Sequence, residues 1–353
     1  MTKGLRWGRK WIALAVLSAL ALPVCIGCSQ KETKMETSIF AMDTVMNLTF
    51  YGADPESALK GVQDELVEEI YALEDKLSTT KEESELYALN EQGQASLSSE
   101  TAELLTKALE LCETTQGALD ITAYPAVRAW GFTTGAYRVP DQAELEQLAA
   151  GIDYTKLEVN AEEGTAQIPQ GMAVDLGAVT KGYAGDRLAQ QLERAGITSA
   201  LLDLGQSTIR VLGSKPDGSP WRIAVQDPAG EGYLGVIELT DLAVGTSGGY
   251  QRFFEQDGET YWHILDPDTA APARSGLSSV TVVGPSGLVC DGLSTALFVM
   301  GLEEGAQFWR SHPELDVELL FVTDDGTIYV TPGMDEKFSL AQGYEDREVQ
   351  VLT

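Results

Sequence analysis

The chain has 353 residues, 44% hydrophobic and 8% aromatic, enough apolar material for a sizeable core, and carries a formal charge of −30. Charge of that sign repels phosphate backbones and anionic membrane surfaces, which excludes nucleic acid as a partner and obliges any nucleotide ligand to find a local cation. Of the four cysteines, two fall within the first 28 residues; the others, Cys112 and Cys290, are too few for a disulfide framework and read as small buried apolar residues.

Lys3, Arg6, Arg9 and Lys10 precede an apolar run from Trp11 to Val24, the pattern of a signal peptide, too short for a comfortable membrane span. The run closes on Cys25-Ile26-Gly27-Cys28, which reads as a lipobox ending in a diacylated Cys28; an ordinary secretory signal is the alternative. Loss of residues 1–27 removes four cations and no acid, taking the charge from −30 to −34. The expected organisation is a signal peptide over 1–27, a lipidated cysteine and polar tether over 28–37, and one folded domain over 38–353. A palmitate-type lipid then holds the protein on the outer, extracytoplasmic face of the cell membrane.

Ser38 to Tyr51 predicts a first strand. Leu59, Val62, Leu66, Ile70, Leu73 and Leu77 recur at three- and four-residue spacing and predict an amphipathic helix over 55–77. Ser99 caps a second helix, lined by Leu104, Leu105, Ala108 and Leu111, that ends near Gly117. Beyond Lys156, the turns Pro216-Asp217-Gly218, Gln256-Asp257-Gly258 and Asp324-Asp325-Gly326 predict three hairpins. Helices over 180–195 and 288–300 lie among them, stopped by Gly196 and Gly301. Helices early and hairpins late imply an α+β fold with largely antiparallel sheets.

Three segments carry candidate chemistry. Val174 to Gly182 is a strand end turning through Gly177 into a helix, which offers backbone amides and Lys181 to a phosphate; a plain turn with a solvated lysine is the alternative. Asp291 and Thr295 lie four apart at a helix start, a carboxylate and a hydroxyl suited to Mg²⁺, or else a cap and a core threonine. His263 follows Tyr261-Trp262 on a strand and precedes Asp266, so it reads either as a proton acceptor oriented by that acid or as a half-buried strand histidine. His312, in Ser-His-Pro, reads as a surface residue at a helix end. The standard nucleotide signatures, a G-x-G-x-x-G between a strand and a helix and a complete Walker loop, are missing.

In this order the segments resemble the ApbE family of FAD:protein FMN transferases, from about Ile39 to near the C-terminus. The resemblance rests on Val174 to Asp186, on Trp221 to Pro228, and on Thr246-Ser247-Gly248 with Tyr250 and Arg252. His263 to Pro267 with Thr269 and Pro272, and Asp291 to Leu297, complete it. It implies an ApbE-like α+β fold with FAD in a cleft and a divalent cation, Mg²⁺ or possibly Mn²⁺, on Asp291, Thr295 and the Ala178 carbonyl. Met42, Ala118, Leu119, Asp120, Asp175, Lys181 and Ile264 would contact FAD, and His263 would be catalytic. The implied reaction passes FMN from FAD to a Thr or Ser hydroxyl of an exported redox-complex subunit, releasing AMP. An FAD pyrophosphatase giving FMN and AMP, and a non-catalytic FAD-binding lipoprotein, are the alternatives. Three departures stand out: Leu77-Ser78-Thr79-Thr80 lacks the flavin-stacking aromatic often found there, Gly205-Gln206-Ser207 replaces a more usual Gly-Gly, and Ala270 stands where a glycine commonly follows the threonine.

Overall fold

A computed structural model describes residues 32–230 and 232–353, so the expected signal peptide and Cys28 lie outside the described residues. Among the described residues, nine strands build the central sheet: β1 (Thr33–Ala41), β2 (Thr44–Gly52), β3 (Ser199–Asp203), β4 (Thr208–Leu212), β5 (Ala243–Gly248), β6 (Leu277–Gly284), β7 (Glu318–Thr323), β8 (Ile328–Val330) and β9 (Val349–Val351). Their order across the sheet is their order in the chain, and every neighbouring pair is antiparallel except β8 with β9.

The long connection from β2 to β3 carries most of the helices: α1 (Glu56–Leu77), α2 (Glu85–Gln92), α3 (Ser99–Thr114), α4 (Tyr124–Trp130), α5 (Gln142–Ala149) and α6 (Thr180–Arg194). A further long helix, α7 (Gly287–Ser311), follows β6. Strand alternation gives the sheet two apolar faces. Val280 and Val282 of β6 join Leu66, Ile70, Leu188 and Leu297 of α1, α6 and α7 in the larger core, while Val283 turns the other way. There it meets Trp221, Ile223 and Ile237 of a small three-stranded sheet formed by Trp221–Gln226, Tyr233–Leu239 and Phe338–Leu340.

Several expectations hold in outline. Helix α1 buries Leu59, Leu66, Ile70, Leu73 and Leu77, and α3 buries Leu104, Leu105, Ala108 and Leu111, although Ser98 rather than Ser99 caps it. Asp257-Gly258 joins Phe253–Gln256 to Glu259–Trp262, and the turn around Gly326 joins β7 to β8. Cys112 and Cys290 are free and buried. His312 ends α7, its ring stacked on Phe308 at 4.3 Å.

Other expectations are corrected. Residues 38–51 are not one strand but part of a hairpin, and the first described strand starts at Thr33, inside the expected tether. Its two-residue turn is Met42-Asp43, with φ of 49° and 60°, the left-handed geometry usually announced by Asn-Gly, which this turn lacks. Pro216-Asp217-Gly218 makes a local turn, but the strands beside it belong to different sheets, so no hairpin forms. Gly301 (φ 81°) interrupts α7 without ending it, because the chain resumes a helical path to Ser311. Helices α2, α4 and α5, each of eight residues or fewer, carry too little periodicity to be read.

Helices α6 and α7 cross with their backbones nearly touching. A Cβ on Gly182 would lie 2.0 Å from the Gly287 carbonyl oxygen, so neither position has room for a side chain. The two N-termini cap one another. Asp186 of α6 accepts from the Gly287 amide (2.8 Å) and the Leu288 amide (3.2 Å), and Asp291 of α7 accepts from the Gly182 amide (3.0 Å). Each carboxylate satisfies first-turn donors of the other helix and meets the positive end of its dipole.

Candidate functional site

A cleft of about 620 Å³ opens beside this crossing, and all eleven described candidate residues line it: Met42, Ala118, Leu119, Asp120, Asp175, Ala178, Lys181, His263, Ile264, Asp291 and Thr295. They come from five separate stretches of chain. Met42 sits in the β1–β2 turn, where the Glu74 carboxylate of α1 accepts from its amide (3.2 Å). Ala118 and Leu119 follow α3, and Leu119 is held by its amide bond to the Thr115 hydroxyl (3.2 Å). Asp120 is buried; its Oδ1 accepts from the Thr122 amide (2.8 Å) and hydroxyl (2.7 Å), and its Oδ2 from the Tyr154 amide (2.9 Å). Asp120 therefore also builds the cleft wall.

Asp175 and Ala178 occupy the turn before α6, and Lys181 its first turn. The Gly177 amide donates to Asp175 Oδ1 at 2.6 Å, which tightens the turn, while burial holds that carboxyl above its usual pKa. Among the described residues Lys181 has no ion-pair partner, and its charge eases the burial penalty on both Asp175 and Asp291. A lysine left unpaired among so many acids, beside a helix N-terminus, suits a phosphate-bearing ligand.

The Asp291 carboxylate is buried, and that burial pushes its pKa up. Oδ2 takes the Gly182 amide and Oδ1 the Thr208 hydroxyl (2.8 Å), which leaves further lone pairs on both oxygens. Thr295 shares its hydroxyl with Ser247 (3.2 Å), which also meets Ser294 (2.9 Å). Together with the half-buried Ala178 carbonyl, these are oxygen donors with one carboxylate among them, a set that fits Mg²⁺. Among the described residues no group of three or more His, Cys, Asp or Glu comes together to offer another kind of metal site.

His263 differs from expectation in its partner. Asp266 is occupied by the Asp268 amide (2.9 Å); the imidazole Nδ1 instead faces the Arg252 carbonyl at 3.2 Å. A carbonyl only accepts, so Nδ1 carries the proton and Nε2 keeps a lone pair. Burial first, and then the Arg252 and Lys181 charges, push the imidazole pKa down to about 4, so the ring is neutral at physiological pH. Phe132 meets it edge-on at 6.3 Å.

Sequence reasoning gave no role to three contributors. The Arg252 guanidinium bridges Asp43 (3.1 Å) and the Phe132 carbonyl (2.8 Å) within the cleft wall, although Arg252 lay inside a quoted motif. Thr208 is an ordinary strand threonine without any local signal, and Phe40 read as one more strand apolar residue.

These features define an α+β protein with an oxygen-rich, cation-flanked cleft built on two reciprocally capped helices. The sequence profile of the ApbE family matches residues 42–320, and the chain belongs to that family. The FAD:protein FMN transferase of Haemophilus influenzae is 34% identical over 335 residues, covering 89% of this chain and 93% of its own. That of Vibrio cholerae is 34% identical over 90% of this chain and 95% of its own. Among solved structures, the ApbE protein of Thermotoga maritima superposes with a TM-score of 0.80 at 30% identity, covering 86% of this chain and 99% of that one. The flavin transferase ApbE of Vibrio cholerae does so with a TM-score of 0.76 at 31% identity, covering 87% and 100%.

Proposed function

We propose that this protein transfers FMN from FAD to a Thr or Ser hydroxyl of another protein and releases AMP. The observation that carries the reading is the convergence of a neutral imidazole, an unpaired lysine and an oxygen-only donor set on one cleft of a chain whose relatives bear the transferase name.

In this reading Lys181 and the amide-rich start of α6 draw in the diphosphate, which the strongly negative protein would otherwise repel. Asp291, Thr295 and the Ala178 carbonyl would hold Mg²⁺, whose chemistry when bound is to offset diphosphate charge. Nε2 of His263 takes the proton from the acceptor hydroxyl as its oxygen attacks the phosphorus on the FMN side. A new P–O bond to the acceptor forms, the bond from that phosphorus to the bridging oxygen breaks, and AMP departs. The Arg252 carbonyl fixes the imidazole tautomer, so Arg252 is a positioning residue.

The test is incubation of the protein with FAD, Mg²⁺ and an exported redox subunit bearing a Ser/Thr-rich acceptor motif. In-gel flavin fluorescence with a mass gain equal to FMN less water supports transfer. Free FMN without an adduct indicates a pyrophosphatase, and unchanged FAD a carrier; either result overturns the proposal. We also propose that Cys28 is lipidated and anchors the protein on the outer, extracytoplasmic face of the cell membrane. Cys28→Ser should then release it from the membrane fraction and abolish palmitate labelling, and full retention with label refutes this.

A further inference from the structure

Four aromatic rings line the cleft, and three are committed. Tyr124 is 3% exposed and Phe132 2% exposed. Phe132 also packs against Tyr137 and Phe254, and its edge meets His263, the third committed ring. Phe40 is 63% exposed, and its cross-strand partner on β2, Val45, is 54% exposed. Phe40 lines the cleft and Val45 stands opposite it on the neighbouring strand, an exposed apolar pair that contributes nothing to the core. The support beneath is firm: β1 and β2 pair without a break from Thr33 and Gly52 to the turn, and Glu74 ties that turn to α1. No aromatic stands in the Leu77 to Thr80 segment, which also lines the cleft.

We infer that Phe40, flanked by Val45, is the platform on which the isoalloxazine ring of FAD stacks. The inference rests on the proposed FMN transfer and specifies which half of the dinucleotide lies where. The half that leaves bonded to a protein needs an open exit, whereas AMP departs as a small molecule from a deeper position. A broad planar ring at the mouth also covers apolar surface that water otherwise wets, and aromatic stacking adds to that gain.

The experiment is a fluorescence titration of the full chain with FAD in Mg²⁺, with FMN and AMP as competing ligands. Circular dichroism checks that the variants are folded, which the solvent-facing position favours. Phe40→Ala should weaken FAD and FMN by about three- to tenfold and leave AMP unchanged, and Phe40→Trp should restore binding. Unchanged FAD affinity in Phe40→Ala overturns the inference, as does equal weakening of AMP and FMN. A rise confined to the KM for the acceptor protein also overturns it, assigning the ring to acceptor contact. Failure of the wild-type chain to bind FAD at all sinks the proposed function instead, so the two failures are distinguishable.

Discussion

Exchanging Asp291 for asparagine and for alanine separates two jobs of one side chain. As a structural group it accepts from the Gly182 amide at 3.0 Å and the Thr208 hydroxyl at 2.8 Å, both out of solvent. Alanine strands both donors, and with roughly 1.5–3 kcal/mol for each bond to a charged group, Asp291→Ala should cost about 3–6 kcal/mol of stability. Asparagine keeps the shape. Its oxygen can face the Gly182 amide, and its nitrogen can donate to a rotated Thr208 hydroxyl. It also removes the buried charge whose desolvation holds the carboxyl above its usual range, so Asp291→Asn should unfold within about 1 kcal/mol of wild type. As the only charged member of the proposed Mg²⁺ set it is not replaceable, and FMN transfer should fall by about 100-fold or more in both variants. Urea unfolding without metal and FMN transfer with Mg²⁺ measure the two jobs. Asparagine with wild-type transfer refutes the metal role, and alanine with wild-type stability refutes the structural one.

His263→Gln should reduce transfer by about 100-fold or more while leaving FAD affinity within a factor of two, read from single-turnover rates and equilibrium titration. Because the imidazole pKa is lowered to about 4, activity should hold as pH drops through 6.5 and fail only near 4; stability linked to the neutral ring is present in full above about 6.5 and is lost between there and 4. A pH–rate profile with an acid limb at 6.5 contradicts this. Lys181→Met should raise the KM for FAD by about tenfold and make binding less salt-sensitive, which titrations at two ionic strengths check. Gln206→Gly should stabilise the fold by about 0.5–1 kcal/mol, because Gln206 is exposed and held at φ 67°; no shift in the denaturation midpoint refutes the strain argument.

What the sequence made legible followed from how locally each feature is encoded. Helices α1 and α3 announced themselves through six and four apolar residues at regular spacing, and the Asp257-Gly258 turn through its glycine. Candidate residues from five stretches do line one cleft, because their motifs coincide with turns and helix starts that the topology gathers. The misses share a cause. Whether Pro216 to Gly218 closes a hairpin depends on which sheet each flanking strand joins, and the partner of His263 lies eleven residues upstream, across the Phe253–Trp262 hairpin. Gln206 and Ala270, two departures from the family pattern, both sit at left-handed backbone (φ 67° and 53°), where packing rather than intrinsic preference fixes the conformation. Asp291 marks the limit: from sequence its cap reading concerns its own helix, whereas Ser286 caps α7 and Asp291 reaches across to the start of α6, a contact that only the tertiary fold creates.

The mutual capping of α6 and α7 has a consequence for how the protein matures. Neither helix start is complete until the other has arrived, and the two lie about a hundred residues apart in the chain. Lys181, Ala178, Asp291 and Thr295 therefore come together only where the two helices are docked, and the proposed site for diphosphate and cation exists only in that docked form. Loading must follow docking of the two helices, which couples ligand retention to the integrity of a contact that contains no side chain at Gly182 or Gly287.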